Sequence, residues 1–423
     1  MKFCLFAFLL LCLSPSLHAK ESQSTILLIT STELKPSWAP FAEWKTKQEK
    51  PTKVLDLADI DKAYPGRDIQ EKIRLCVRDH VDHQGTKWVI LGGDSSPSGG
   101  IVPDRDTHHK TMWGTVKDIP TDIYYLAKGS WDADKDGIYG EFGDDRAEID
   151  YPDGSIGLGR IPVRTAAQVA AYTAKVVAYE SRYPAGEFGN TMTYTCTVAG
   201  AVPKVKRSWD DYVCKALPKG RLFRYFGALD QEKSDPHYDL DPGNWVKMIN
   251  NAHSGKYHFH GHGLNECWVL DRHTTFTHKH IKELNNKDSY PVITTVSCFT
   301  GQFDSDQDPS IAEAMLRVEN AGAIAIVAPC REGKPHFMDP ERDFPLMVKE
   351  GKLDGTTLTM SRFWQLGISQ SLSTGEALML AKADMLQEAA TSPNFHLCLS
   401  ELNLLGDPSL AVHPSLKGDQ EKP

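Results

Sequence analysis

Short, almost wholly apolar runs alternate along the chain with longer segments whose apolar residues recur at helical spacing. STILLIT (24–30), KWVILGGD (87–94), TMTYTCTVA (191–199), YPVITTVSC (290–298) and AIAIVAPC (323–330) are rich in β-branched residues and read as buried strands. SIGLGRIPV (155–163) and YHFHGHG (257–263) add two more candidate strand segments. Between the strands lie amphipathic helices. RDIQEKIRLCVRDHV (67–81) places Ile69, Ile73, Leu75, Val77 and Val81 toward one face. TAAQVAAYTAKVVAYESRY (165–183) has Thr165 as a cap and Val169, Tyr172, Val176 and Tyr179 on one side. NWVKMINNAHSG (244–255) is a shorter helix. In DPSIAEAMLRVENAG (308–322), Asp308 suits the N-cap and Pro309 the first turn, with Ile311, Met315, Val318 and Gly322 giving the period.

Strand, helix, strand in repeated succession predicts an α/β protein with mostly parallel sheets flanked by helices. Residues 95–155 are rich in Gly, Pro and Asp and read as loops. YPAGEFGN (183–190) carries one proline and two glycines and reads as a junction. The chain therefore divides into residues 1–19, an N-terminal α/β subdomain over 20–186, a second subdomain over 187–413, and a tail over 414–423.

The first segment changes the picture. Residues 1–19 have one early lysine, an apolar run from Phe3 to Leu13, and a polar stretch ending at Ala19. That is the plan of a secretory signal peptide cleaved after Ala19, and the run is too short to span a bilayer. Export to the periplasm or the medium is the expected localisation, with no membrane span in the mature chain. No small residue stands just before Cys12, so the lipoprotein cleavage box is missing. The net charge of −9 and the lack of a basic stripe argue against nucleic acid as a partner. Of nine cysteines, Cys4 and Cys12 leave with the signal. The remaining seven are an odd number, so at least one thiol stays unpaired.

The candidate chemistry lies at two strand ends. YHFHGHG finishes near His262, and VITTVSC finishes at Cys298. The segment between them is long enough for a right-handed crossover of about 30 residues, so parallel neighbours would bring both ends to one rim. A thiol near its ordinary pKa of about 8.5 is mostly protonated at neutral pH. An imidazolium beside it lowers that value and increases the thiolate fraction, and the histidine can then donate a proton to the leaving group. Glycines on both sides of His262 permit close backbone approach, and the Gly263 amide can face a developing oxyanion.

HFHGHGLNECW, TTVSCFTGQFD with SIAEAMLRVENAGAIAIVAP, GLGRIPVRTAAQVAAYTAKVVAYE and LNLLGDPSLAV together resemble the gingipain family of cysteine peptidases, in the caspase-like group. The resemblance runs from about residue 25 to 413. It implies two caspase-like α/β subdomains with the catalytic pair in the second, and polypeptides as substrates. It implies His262 as base, Cys298 as nucleophile, and the amides of Gly263 and Cys298 as the oxyanion hole. Family members often carry an acidic residue before the Gly-Arg of the GR-I-P motif, turned toward the histidine. Here Ser155 falls in that register without a gap, and Asp153 fits if residues are inserted.

Two other readings use the same residues. His258, His260 and His262 alternate, so on one strand all three face one side, and His-x-His is a spacing that zinc sites use. A metallohydrolase built on them is one alternative, although no HExxH accompanies them. A catalytically silent caspase-like module that binds peptides is the other. Cys-His chemistry itself needs no cofactor. A structural calcium is nevertheless suggested by WDADKDGIYGEF (131–142). Asp132, Asp134 and Asp136 alternate before Gly137, with the Ile138 carbonyl and Glu141 as further ligands. The twelfth position of an EF-hand would be Gly143 rather than Glu, so the segment reads as an isolated calcium loop. Asp304, Asp306 and Asp308 form a second alternating set, in which Asp308 is better used as a helix cap.

Overall fold

The computed structural model describes residues 25–412 except 112–113, 151–153, 183–187, 218–220, 227–239, 272 and 308. Its centre is one ten-stranded sheet. From edge to edge the strands are Thr52–Asp56, Ile26–Thr30, Trp88–Gly92, Gly157–Ile161, Leu402–Gly406, Ala325–Pro329, Val292–Val296, Lys256–His260, Thr191–Cys196 and Arg221–Phe226. The first four in this order come from the N-terminal half of the chain. The second half supplies the other six, and its last strand, Leu402–Gly406, lies at the seam. That strand runs antiparallel to Ala325–Pro329 and meets Gly157–Ile161 through the Leu405–Arg160 pair. The two sequence-defined halves thus share a continuous sheet.

Helices cover both faces, which is why the central strands are apolar throughout rather than alternating. Every residue of Ile26–Thr30, Val292–Val296 and Ala325–Pro329 is buried. On one face Ala166–Arg182 packs against Ile311–Arg317 and Ala39–Lys47. Thr165 accepts from the Gln168 amide at its start, and Val169, Tyr172, Val176 and Tyr179 are all buried, as their spacing predicts. On the other face lie Gly355–Ser369 and Thr374–Ala383, which pack together. The helix at Ile69–Gln84 is capped by Asp68 and turned off at Gly85, whose φ of 75° suits glycine. It buries Ile73, Cys76 and Val77, while Leu75 lies off that face.

Several elements differ from the sequence expectation. The helix expected over 308–322 spans Ile311–Arg317. Ser310 is its N-cap, and Ser310 and Glu313 satisfy each other's backbone amides in a capping box, which fixes the start at that point. Asp308, expected to cap it, lies outside the described residues. Residues 95–155 are not all loop, because Asp106–Thr111 and Gly114–Pro120 form an antiparallel hairpin. The Arg221–Phe226 edge strand and the seam strand were also unforeseen. The signal segment lies outside the described residues, and no helix among them is long and apolar enough to cross a membrane.

The carboxyl ends of strands from both halves open on one edge. The Ser95 amide, just beyond Trp88–Gly92, donates to the Phe303 carbonyl in the loop that follows Cys298, at 3.2 Å. Ser98 donates from both its amide and its hydroxyl to Asp306 in the same loop.

Candidate active site

Lys256–His260 and Val292–Val296 are adjacent parallel strands, and their register ends at the pair His260–Val296. Each chain then runs two residues further, one to His262 and the other to Cys298. Strand spacing of about 4.8 Å and a rise of about 3.3 Å per residue keep two such positions within side-chain reach. The intervening contacts are tight. The Gly261 amide still donates to the Val296 carbonyl at 3.4 Å. A Cβ on Gly261 would stand 2.4 Å from Thr197 Oγ1. A Cβ on Gly263 would stand 2.4 Å from Ser297 Oγ and 2.9 Å from Thr300 Cγ2. The glycines are required by close approach here, because the loop bearing His262 packs directly on the residue before Cys298.

His262 leaves the ladder that holds the two histidines before it. His262–Leu264 pairs antiparallel with Cys267–Val269, which pairs with Thr275–Thr277 in a separate small sheet. His262 is exposed, whereas His258 and His260 are buried in the core. His258 is stacked on Tyr194 with ring centroids 4.2 Å apart, and its Nδ1 meets Thr294 Oγ1 at 2.7 Å. Burial, with the Lys204 charge nearby, pushes His258 down to about 3 and His260 well below its ordinary value. The three histidines do not converge as a ligand set. Among the described residues the one group of three that brings ligand atoms within 4.8 Å of one another is Asp132, Asp134 and Asp136.

Cys298 is half-buried in a turn held from both sides. The Phe299 amide donates to the Arg331 carbonyl at 2.7 Å, and the Gly301 amide to the Pro329 carbonyl at 2.9 Å. Thr300 Oγ1 donates to the Ser297 carbonyl at 2.8 Å. Phe299 takes a left-handed φ of 60°, which costs a non-glycine residue about 1–2 kcal/mol and persists only because these bonds over-determine the turn. Burial is the largest influence on the thiol and pushes it up. The Gly333 amide works the other way, and the Glu401 and Glu332 charges add to the rise. The resting sulfur is therefore a neutral thiol at neutral pH.

Sequence reasoning missed Glu332, Gly333, His336 and Glu401. The first three follow the carboxyl end of Ala325–Pro329, the strand next to that of Cys298, and such ends are where α/β sheets place ligands. Arg331, in the same segment, pairs with Asp304 through Nη1 at 2.9 Å. That pairing, and the use of Asp306 by Ser98, engages both described members of the 304–308 acidic set in protein contacts. Asp153 lies outside the described residues. Its neighbours Gly154 and Ser155 precede the amino end of Gly157–Ile161, where a Cβ on Gly154 would stand 2.7 Å from Leu380 Cδ2. Gly157 pairs with Trp88 and Ile161 with Gly92, so that end is the edge away from Ser95, Phe303 and Cys298. The register that offered Ser155 therefore leads to the opposite edge of the sheet.

The Asp-rich loop forms a compact turn. The Gly137 amide donates to Asp132 Oδ1 at 3.4 Å, the Asp136 amide to Asp134 Oδ1 at 3.2 Å and the Ile138 amide to Asp136 Oδ1 at 2.7 Å. Arg67 Nη1 meets Asp132 Oδ2 at 2.5 Å. Asp145, also unforeseen, is buried and accepts from the amides of Ala133 and Glu141. Burial, then the charges of Asp136, Asp144, Asp145 and Asp134, pushes the Glu141 carboxyl up. Ile138 is partly exposed at the rim of the loop.

No protein of known function with a curated description matches the sequence significantly. Solved structures do. The arginine-specific cysteine proteinase gingipain R matches with a TM-score of 0.65 at 16% identity, over 93% of this chain and 79% of that one. A complex of the pro- and mature domains of RgpB from Porphyromonas gingivalis matches with a TM-score of 0.60 at 17% identity, over 92% of this chain and 80% of that one. A further structure described as a protease matches with a TM-score of 0.61 at 15% identity, over 92% of this chain and 78% of that one. At these identities the likeness establishes the fold. The family comes from the sequence, where the model for peptidase family C25 matches residues 19–413. The chain belongs to peptidase family C25, the gingipain family, and is a cysteine peptidase with a caspase-like α/β fold.

Proposed function

We propose that the protein is an exported endopeptidase in which His262 and Cys298 form the catalytic dyad. The observation that carries this reading is the shared register of their strands, with Gly263 packed on Ser297. A substrate carbonyl sits over Cys298. His262 removes the thiol proton as sulfur attacks the carbonyl carbon, which suits a nucleophile that burial keeps neutral at rest. The amides of Gly263 and Cys298 face the resulting oxyanion. His262 then protonates the departing amine, leaving a thioester on Cys298. Water, deprotonated by His262, hydrolyses that thioester and releases the acid. Export rests on the signal-like first nineteen residues.

A calcium-binding role for Asp132, Asp134 and Asp136, with the Ile138 carbonyl and Glu141 completing the shell, belongs to the same reading. Three carboxylates with oxygens clustered at this spacing are the hard donors such a cation takes. Its role is structural, bracing the 131–145 segment.

The test is cleavage of a mixed peptide library by the purified chain, with products sequenced. Internal cuts that vanish in Cys298→Ala support the reading. Release of terminal residues alone, or cleavage that survives the substitution, overturns it.

A further inference from the structure

Beyond the turn that follows Ala325–Pro329 lies a fully buried acid–base pair that the reaction above does not use. His336 Nε2 meets Glu401 Oε1 at 2.9 Å, and neither side chain has any exposure. Glu401 is the last residue of helix Pro393–Glu401, immediately before the seam strand. His336 stands three residues after Gly333. The segment between them is strapped at both ends. The Cys330 amide donates to the Glu401 carbonyl at 3.0 Å, and the Arg331 carbonyl accepts from Phe299, the residue after the nucleophile. At the far end the His336 carbonyl accepts from the Gly355 amide at 2.7 Å. Gly333 rests between these straps, where an added Cβ would stand 3.1 Å from Pro329 Cγ and 3.7 Å from the Ser297 amide nitrogen.

We propose that His336 and Glu401 are positioning residues for the nucleophile: their buried hydrogen bond pins the 331–336 turn, which holds Phe299 through the Arg331 carbonyl and packs Gly333 near Ser297, the residues on either side of Cys298. This deepens the proposed function, since it rests on Cys298 as the reacting group. A carboxylate buried this completely is tolerated only with a partner, and His336 is that partner. The pair also sets the charge that the sulfur feels. Glu401 raises the thiol, and the Gly333 amide that the pair holds in place lowers it. The two influences have opposite signs, which makes them separable.

The other titratable groups around the pair are the same in the parent and in both variants. Glu401 faces Glu332, Lys334, Lys382, Cys330, Cys398 and Cys298. His336 faces His109.

The experiment is the pH profile of iodoacetamide alkylation at Cys298, followed on its own peptide by mass spectrometry, in the full chain and two variants. Glu401→Gln keeps a hydrogen-bonding group of the same shape and removes the negative charge. It lowers the alkylation midpoint, by about half a unit or roughly threefold in thiolate at neutral pH. His336→Leu made in the Glu401→Gln chain, where no buried charge is left unpaired, releases the turn and raises the midpoint from that of Glu401→Gln by a similar amount. Shifts of opposite sign support the proposal. Shifts of the same sign, or midpoints equal to the parent in a folded Glu401→Gln chain, overturn it. The readout is sulfur reactivity, so a parent chain that alkylates normally but cleaves no peptide would count against the proposed function and leave this comparison decisive for the pair.

Discussion

His260 and Val296 are the last register partners of two adjacent parallel strands, and the candidate base and nucleophile each stand two residues beyond them. The site is thus a product of strand register. A slip of one residue would reverse the face presented by every side chain on that strand. Both strands are buried at every position, which fixes the register strongly.

The contact between the two strand ends leaves no room for a side chain on Gly263, so Gly263→Ala separates packing from chemistry. The new methyl would stand 2.4 Å from Ser297 Oγ, and the loop must shift away from Cys298 to admit it. On the proposed mechanism the amide at this position then loses its place opposite the scissile carbonyl. kcat should fall by about a hundredfold or more, in the range of a lost oxyanion donor, with KM changed far less. Steady-state kinetics on a cleaved peptide check this. An unchanged kcat would remove Gly263 from the site.

Of the seven cysteines among the described residues, five are buried. Only Cys298 and Cys214 have partial exposure, and burial also pushes the Cys214 thiol up. Iodoacetamide on the native chain should therefore modify these two and spare Cys76, Cys196, Cys267, Cys330 and Cys398. Cys298→Ala should lower kcat/KM by at least about a thousandfold, while Cys214→Ala leaves it unchanged. Peptide mapping and kinetics of both variants give the answer.

How much of this could be seen in the sequence follows from where the information lies. The strand patterns ending at His260 and Val296 are local, so the strand ends, their common rim and the two candidate residues were legible. The seam strand was not, because Leu402–Gly406 acquires its meaning only by pairing with Ala325–Pro329, distant in the chain. Glu401 comes alongside Ala325–Pro329 through that same pairing, and Gly333 comes to the Cys298 strand through the pairing of Ala325–Pro329 with Val292–Val296, so no local pattern announces them. The alternation of three histidines misled for the opposite reason. It holds on a continuous strand, and the chain leaves that strand at Gly261. The 308–322 helix was legible as a helix, but the stronger capping box at Ser310 and Glu313 displaced the expected start.

His258 makes a pH-dependent contribution to stability with a definite sign. Its pKa is depressed from the ordinary 6.5 to about 3 by burial, so it is neutral in the fold across that window. The unfolded chain binds the proton below about pH 6.5, so this contribution is fully present above that pH and is lost as pH falls toward 3. His258→Phe removes the term. Relative to the parent, its acid-side slope of stability should flatten by up to about 1.4 kcal/mol per pH unit. Urea titrations at pH 7, 6 and 5 measure the difference, and parallel slopes would contradict it.

Calcium should stabilise the chain through the Asp132–Glu141 loop. A cation at about a hundred times its Kd adds roughly 2.7 kcal/mol if it binds only the folded state. Tm should rise with calcium, fall back with chelator, and become insensitive to both in an Asp134→Asn, Asp136→Asn double variant. Differential scanning fluorimetry suffices. A parent Tm indifferent to calcium would remove the site.

The central claim is that one sulfur and one imidazole act together. An irreversible thiol-directed peptide reagent, offered with Arg, Lys or Asp beside the reactive group, tests it by intact-mass and peptide-level spectrometry. The account predicts a single adduct on Cys298 with at least one of the three, and its loss in His262→Ala. An adduct on another residue, or one that forms on Cys298 at an undiminished rate without His262, would contradict it.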